Sequence, residues 1–243
     1  INNNNAIVMG QCLTAVGWVG GTIPELENHP SIIELSMADV AGGGLAVGAA
    51  LGNTNPVIYV VRYQGFLWYN GISIANYAAK SNELFGIPCP LIVRAIAMEG
   101  GIGPVAGNYH LSLFLRMPGI NIFAPMTSEE WLWSINYHLK ENLNPTIIGE
   151  HRLSFHKDLE LPNVYNLNSK LTILAIGSAR IFAQRAYDEL TKLGHNINIF
   201  HLFRLSPLDF PEGFTDSIKE TNNCLVLDSD SVSYTHLRAH ETL

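Results

Sequence analysis

The chain has 243 residues, the size of one large domain or two modest ones. Its 14 basic and 21 acidic side chains give a net charge of -7, so no excess of positive charge is available to hold nucleic-acid phosphates. Hydrophobic residues make up 47% and charged residues only 14%, which excludes a disordered chain and favours a large core or a surface hidden against partners.

The apolar stretches and the cysteines exclude two further classes. Val40–Leu51 is rich in glycine and alanine and is shorter than the roughly 20 apolar residues that a membrane span needs. No secretory signal opens the chain, and its three cysteines are widely spaced without a CxxC pair, so neither a disulfide framework nor a zinc site is predicted. We therefore expect a cytoplasmic protein that binds neither membrane nor nucleic acid.

Short apolar runs alternate with helix-like stretches along the chain. The predicted helices are Val40–Leu51, Ser73–Phe85, Ser128–Leu139 and Ala179–Leu193. The predicted strands, which read as buried on both faces, are Val57–Val61, Leu91–Ala95, Ile120–Ala124, Thr146–Ile148, Thr172–Ile176, Ile197–Phe203 and Cys224–Leu227. This alternation predicts an α/β fold with two mainly parallel-sheet, three-layer units.

The stretch His156–Ser169 has a proline, several asparagines and no apolar period, so it is predicted to be a linker between the two units. The segment Ser231–Leu243 has no helix, strand or turn pattern, and Val232–Thr242 resembles a translated sequencing adapter. We therefore expect the native sequence to stop near Asp230. The predicted division is 1–155, a linker at 156–169, 170–230, and a non-native tail at 231–243.

The glycines at 42, 43, 44 and 48 are spaced G-G-G-x-x-x-G, whereas a dinucleotide-binding loop needs G-x-G-x-x-G between a strand and a helix. This spacing favours a small-residue helix whose bare face lets another backbone approach closely. A nucleotide-binding Rossmann oxidoreductase is accordingly disfavoured.

Six short motifs in order carry a family resemblance. The run ELSMADVAGGGLAVGAA, from Glu34 to Ala50, is similar to the signature TPISE-x-G-x-x-G-x-AVGAA, and IANYAAK, PLIVR, YH, PGINIFAP and EH follow at nearly the expected spacing. The chain thus resembles the beta subunit of the first, thiamine diphosphate-dependent component of 2-oxo acid dehydrogenase complexes, a transketolase-like family. The resemblance implies a pyrimidine-binding domain over 1–155 and a truncated transketolase C-terminal-like domain over 170–230.

The resemblance implies a catalytic role for Asp39, which occupies the position of the family glutamate beside N1′ of the aminopyrimidine. Its side chain is shorter by one C–C bond, about 1.5 Å, which is enough to open a gap in a direct hydrogen bond. Glu34 stands five positions earlier and is a poor substitute. The alternative is that Asp39 only caps the following helix, a role that aspartate fills well.

The other site residues implied by the resemblance are His110, Phe66, Tyr63 and Arg62. His110 matches the histidine that faces the substrate carboxylate, where an imidazole can donate a proton near neutral pH. Phe66 and Tyr63 fall on a family segment whose last aromatic packs against the pyrimidine ring; Phe66 is the preferred candidate, and ordinary core packing is the alternative. Arg62 replaces a glutamine of that segment, which would favour a more acidic ligand or partner. The aromatic block from Arg62 to Tyr69 is equally typical of a protein interface.

The resemblance also implies what must come from elsewhere. No GDG…N motif for diphosphate and Mg²⁺ occurs in the chain, so an alpha-type subunit would hold these groups in an α2β2 assembly, with homodimerisation and a lipoyl acyltransferase as further contacts. Any metal bound by this chain itself is left unknown. The expected function is decarboxylation of a 2-oxo acid and transfer of the acyl or aldehyde unit, with a catalytically silent structural subunit as the alternative.

Overall fold

The computed structural model describes residues 5–14, 23–52, 55–97, 107, 109–141, 143–155 and 158–229. The described strands are β1 (Ile7–Gly10), β2 (Ile32–Glu34), β3 (Val57–Val61), β4 (Leu91–Ala97), β5 (Asn121–Phe123), β6 (Thr146–His151), β7 (Thr172–Ile176), β8 (Asn198–Leu202), β9 (Arg204–Ser206) and β10 (Cys224–Leu227). The described helices are α1 (Asp39–Gly52), α2 (Ala79–Phe85), α3 (Leu111–Leu115), α4 (Ser128–Glu141), α5 (Ala179–Lys192) and α6 (Phe214–Thr221).

The first sheet has seven strands in the order β2-β1-β3-β4-β6-β5-β9, and all pairs except β5 with β9 are parallel. Its central strands are apolar on both faces, as expected for a sheet covered on both sides. On β3, Tyr59 belongs to the large cluster that includes α1 and α2, whereas Val60 packs on the opposite face with Val8 and Ile96. The main core therefore lies between the sheet and the helices that follow β2 and β3.

The second sheet has three parallel strands in the order β10-β7-β8. One face packs against α5 through Ala183, and the other packs against α6 through Phe214. The fold class predicted from the sequence, two mainly parallel α/β units, is confirmed. Ile148 lies in the first sheet and Ile173 in the second, while the predicted domain boundaries themselves stay a prediction.

One strand of the second half crosses to the first sheet. β9 pairs antiparallel with β5, so that Phe123 is opposite Arg204 and Ile122 is opposite Ser206. The two halves also meet at an ion pair, in which the Arg180 guanidinium binds the Glu130 carboxylate at 2.5 and 2.8 Å. The halves therefore share an interface with a buried charge in it.

One predicted helix differs from the observed structure. The predicted helix Ser73–Phe85 is divided into a π-helical segment (Ser73–Ala78) and α2. The predicted tail lies outside the described residues. Among the described helices, none is long and apolar enough to cross a membrane.

Candidate functional site

The predicted site residues lie where the first sheet's parallel strands reach their carboxyl ends. β1 leads to Gln11, β3 leads to Arg62, and a 3₁₀ segment (Gln64–Asn70) follows directly. In open α/β sheets, ligands bind outside the carboxyl ends of the strands. This edge is therefore the expected place for a site in this fold.

Asp39 is the first residue of α1 and is half-buried. The Gln11 amide donates a hydrogen bond to its Oδ1 atom at 3.3 Å, and no described residue binds Oδ2. Because the Gly42 N–H donates to the Ala38 carbonyl, Ala38 stands at the N-cap and Asp39 lies in the first turn. Asp39 is thus not the helix cap that the alternative interpretation expects, although its charge is favourable at this end of the helix.

Glu34, the other acid of the motif, is committed elsewhere. Its carboxylate accepts hydrogen bonds from the backbone N–H groups of Leu13 and Thr14 at 3.0 to 3.2 Å. These bonds tie the loop after β1 to the end of β2. Glu34 therefore stabilises the edge of the site and does not replace Asp39.

Tyr59 lies under the start of α1 and was not singled out by sequence reasoning. Burial, followed by the negative charge of Asp39, raises the pKa of the Tyr59 phenol to about 12. Its hydroxyl donates to Asn70 Oδ1 at 3.3 Å. At neutral pH, Tyr59 is thus a neutral donor next to the Asp39 helix.

Arg62, Tyr63 and Phe66 form a continuous group. The Arg62 guanidinium lies 5.7 Å from the centre of the Tyr63 ring, which meets the Phe66 ring edge-on at 5.8 Å. Arg62 is only 6% exposed and donates to the Cys12 carbonyl at 3.2 Å. The observed contacts of Arg62 therefore brace the loop after β1, and its predicted role toward a ligand stays a prediction.

A second guanidinium lies near this group. Burial and the positive charge of Arg62 lower the pKa of Arg152, which follows β6, while Tyr63 acts in the opposite sense. The carboxyl ends of β3 and β6 thus bring two cationic side chains toward one another.

His110 immediately precedes α3 and is half-buried. Its backbone N–H donates to Gln64 Oε1 at 2.6 Å, and its ring meets the Trp68 ring edge-on at 6.0 Å. Burial lowers the pKa of His110 because the charged imidazolium loses solvent. The imidazole is thus mainly neutral at pH 7 and able to exchange a proton.

The 3₁₀ segment that carries Phe66 contacts both the helix that begins at Asp39, through Asn70, and His110, through Gln64 and Trp68. Phe66 packs on the large core cluster, which contains Ala46 of α1 and also Leu111, the residue after His110. Sequence reasoning missed three buried polar residues that connect these positions, namely Tyr59, Gln64 and Asn70. The available signal was two amide side chains at the ends of an otherwise apolar, aromatic run.

The small-residue helix packs closely, but against side chains rather than another backbone. A Cβ at Gly42 would lie 2.8 Å from the Tyr59 hydroxyl, and one at Gly43 would collide with the Asn70 amide. In contrast, a Cβ at Gly48 would meet nothing within 4 Å. One side of α1 is therefore packed and the other is open.

Two neighbouring clefts lined by described residues lie further along the same sheet edge, after β5 and β6. One, of about 300 Å³, is lined by Trp131 and Glu150, and its neighbour, of about 480 Å³, by Glu129 and Glu160. Glu150 is already bound by Arg94 at 2.6 and 2.7 Å. Neither cleft is lined by Asp39, Phe66 or His110, so the candidate site lies on the part of the edge that follows β1 and β3. Among the described residues, no group of three or more acidic, histidine or cysteine side chains could hold a metal ion.

Comparisons with known proteins agree with the fold. No model of a known protein family matches the chain. It is 24% identical to the pyruvate dehydrogenase E1 component subunit beta of Gracilaria tenuistipitata var. liui, over 93% of this chain and 75% of that protein. It is 22% identical to the mitochondrial beta subunit of Homo sapiens, over 83% of this chain and 55% of that protein.

Solved structures show the same fold at lower identity. A split-gene transketolase, described as an inactive beta4 tetramer, superposes with a TM-score of 0.63 and 17% identity over 96% of this chain and 76% of that one. A transketolase of Pichia stipitis in complex with sedoheptulose-7-phosphate gives a TM-score of 0.70 and 16% identity, over 96% of this chain and 37% of that one. The chain thus shares its α/β fold with transketolases. Its resemblance to beta subunits of the pyruvate dehydrogenase E1 component is confirmed.

Proposed function

We propose that this chain is the beta-type subunit of a thiamine diphosphate-dependent enzyme, which decarboxylates a 2-oxo acid and passes on the acyl or aldehyde unit. The observation that supports the proposal is that one 3₁₀ segment, which carries Phe66, contacts both the helix of Asp39 and His110 at the carboxyl edge of the sheet. The similarity to pyruvate dehydrogenase beta subunits supports the reaction class. A cytoplasmic location remains part of the proposal.

The residues at this edge fit the pyrimidine half of thiamine diphosphate. Asp39 presents a half-buried carboxylate with one oxygen held by Gln11, and Phe66 presents a half-buried aromatic ring on the segment that packs against the Asp39 helix. When bound, the cofactor supplies an electron sink for decarboxylation. Its diphosphate and Mg²⁺ would be held by the partner chain.

Each side chain has a distinct task in this proposal. Asp39 would share a proton with a ring nitrogen of the pyrimidine, and Gln11 orients the Asp39 carboxylate by donating to Oδ1. His110, kept neutral by burial, accepts or donates a proton near the substrate carboxylate. Phe66 would pack against the pyrimidine. Tyr63 contacts the Phe66 ring edge-on, and Arg62 lies over the Tyr63 ring.

The exposed surface around the site supports a partner chain. Val40 and Leu45 of α1 are 63% and 56% exposed, and Met37, just before the helix, is 86% exposed. Trp68 and Tyr69 are more than half exposed on the adjoining 3₁₀ segment. Exposed aromatic and apolar residues of this kind are typical of interfaces. An alpha-type subunit packed here would complete the site, and an α2β2 assembly and a lipoyl acyltransferase belong to the same proposal.

A second candidate is a catalytically silent structural subunit. The observation that favours it is the short side chain of Asp39, which reaches about 1.5 Å less far than a glutamate. The related split-gene transketolase was inactive as a beta4 tetramer. Both candidates predict that this chain alone is inactive, so the test needs an alpha-type partner.

The test is steady-state decarboxylation of a short 2-oxo acid by the two-chain assembly with an artificial electron acceptor. Asp39→Glu should raise the rate at least tenfold, and Asp39→Ala should abolish it, because general acid–base groups contribute about 10²–10⁴-fold. Asp216→Glu is the control, since Asp216 is exposed on α6 and should leave the rate unchanged. Equal rates for wild type and both Asp39 variants would reject the proton-sharing role and favour the silent subunit.

A further inference from the structure

Two buried amide side chains stand at the two ends of the 3₁₀ segment, with Phe66 between them. Gln64 and Asn70 are both 0% exposed, although the segment lies at the edge of the sheet. Enclosing an amide costs free energy unless its donors and acceptors are bonded. The partners of these two amides therefore show which elements the segment holds in place.

Gln64 connects the centre of the first sheet to His110. Its Nε2 group donates to the Ala95 carbonyl of β4 at 3.2 Å, and its Oε1 accepts the His110 backbone N–H at 2.6 Å. His110 has φ of −137° and ψ of 32°, outside the regular helix and strand regions. The bond to Gln64 thus fixes the backbone at the residue that carries the imidazole.

Asn70 makes the corresponding connection to α1. Its Nδ2 group donates to the Phe66 carbonyl at 3.2 Å, and its Oδ1 accepts the Tyr59 hydroxyl at 3.3 Å. Its side chain also packs against Gly43, where any Cβ would collide with it. The same segment therefore contacts the helix of Asp39 at one end and the His110 backbone at the other.

We propose that Gln64 is a positioning residue for His110 and that Asn70 is its counterpart for the helix that carries Asp39. This inference rests on the proposed function, in which His110 faces the substrate and Asp39 the cofactor. Gln64 acts only through the His110 backbone, and its amide spans the distance from the rigid strand β4 to that backbone. Replacing it should move the imidazole while the rest of the fold stays in place.

Two substitutions of similar size separate positioning from simple space filling. Gln64→Met fills the same volume but offers no oxygen to the His110 N–H. Gln64→Glu keeps that oxygen, and in its protonated form can also donate to the Ala95 carbonyl. If packing alone matters, Met should be tolerated better than Glu, because burying a carboxyl group is costly. If positioning matters, Glu should rescue His110 and Met should not.

The first measurement is NMR of the purified full chain, with His110 as the reporter. The short bond to Gln64 should give the His110 amide slow hydrogen exchange in the unmodified protein. The edge-on Trp68 ring should shift its imidazole protons. Gln64→Met should abolish both signatures, Gln64→Glu should restore them, and Asn70→Ala should leave them unchanged. Rapid exchange of the wild-type amide would overturn the proposal even if Gln64→Met does not fold.

The second measurement is the kinetics of the assembled two-chain enzyme. Gln64→Met should lower kcat/KM at least tenfold, and Gln64→Glu should recover most of it, because misplacing a reacting group by about 1 Å can cost 10²-fold. An unchanged kcat/KM in a Gln64→Met protein whose His110 signals have moved would overturn the proposal. An assembly in which even the wild type is inactive would reject the proposed function, whereas the NMR result would still decide whether Gln64 fixes His110.

Discussion

Two groups of hydrogen-bonded, buried polar side chains, one in each sheet, lie at opposite ends of the strands. In the second sheet, Thr172 and Asn198 are the first residues of β7 and β8, and both are bonded to Ser217 of α6, at 2.6 and 2.7 Å. In the first sheet, Gln64 and Asn70 follow the carboxyl end of β3. The bonds around Ser217 in the second sheet connect buried polar groups to one another. The bonds that follow β3 in the first sheet lead instead to Asp39 and His110, which are ionisable and half-exposed.

The carboxyl end of the second sheet is used differently. Gly177 follows β7, and a Cβ there would lie 3.3 Å from the ring of Tyr109, the neighbour of His110. Tyr109 is buried at this contact. Tyr109, the residue before His110, therefore packs against the carboxyl end of β7 in the second sheet. The carboxyl edge of the first sheet thus provides the candidate site, and that of the second sheet supports a residue next to the site.

The strongest test of this comparison is to break the contact between the halves. Arg180 of α5 is 0% exposed and binds Glu130 of α4 through two nitrogens. Arg180→Met should lower the free energy of unfolding by about 3–5 kcal/mol, because the Glu130 carboxylate would lose its charged partner at a buried interface and keep only backbone N–H donors. Urea unfolding measures this loss, and the single transition should separate into two.

Arg185→Met is the matched control on the same helix. Arg185 is exposed and lies 6.0 Å from the Phe182 ring, so its loss should cost no more than about 0.5 kcal/mol. A cost below about 1 kcal/mol for Arg180→Met would mean that the halves are held together by other contacts.

Acid should weaken both halves, through one buried histidine in each. Burial lowers the pKa of His138 in α4 to about 4, and burial together with Arg180 lowers that of His201 in β8 to about 3. Both values lie below the ordinary 6.5, so the unfolded chain binds the extra protons first as the pH falls. Each histidine should therefore cost about 1.4 kcal/mol per pH unit below 6.5, or roughly 3 kcal/mol by pH 4.

The measurement is the free energy of unfolding between pH 7 and pH 4 for His138→Gln and His201→Gln. Each substitution should flatten the pH dependence, whereas His195→Gln, at an exposed position, should leave it unchanged. If the free energy of unfolding depends on pH in the same way in the wild type and in all three variants, other groups cause the acid sensitivity.

The sequence predicted the elements whose signal is local. The predicted strands Val57–Val61, Thr172–Ile176 and Cys224–Leu227 match β3, β7 and β10. β1 was missed because its four residues directly follow an asparagine run, and β9 was missed because it depends on pairing with β5, about 80 residues away. Pairing at that separation has no local period to detect.

The site residues likewise divide into those that the sequence predicted and those that it did not. Asp39, Phe66 and His110 came from family resemblance, which carries positions but not contacts. Gln64 and Asn70 could not be found from periodicity, because their burial depends on β4, α1 and the His110 backbone meeting at one segment. A polar residue in an apolar run is ambiguous until its partners are known.

The mildest prediction separates the packed side of α1 from its open side. Gly43→Ala places a Cβ against the Asn70 amide and should lower the free energy of unfolding by about 1–3 kcal/mol, since overpacking forces neighbours to move. Gly48→Ala meets nothing within 4 Å and should raise it by about 0.5–1 kcal/mol, because alanine loses less conformational entropy in a helix. Urea unfolding of the isolated chain compares the two.

In the two-chain assembly, Gly48→Ala should instead weaken association, because the added methyl group faces the surface proposed for the partner. A variant that is stabilised and still associates normally would place the partner on another face of the molecule.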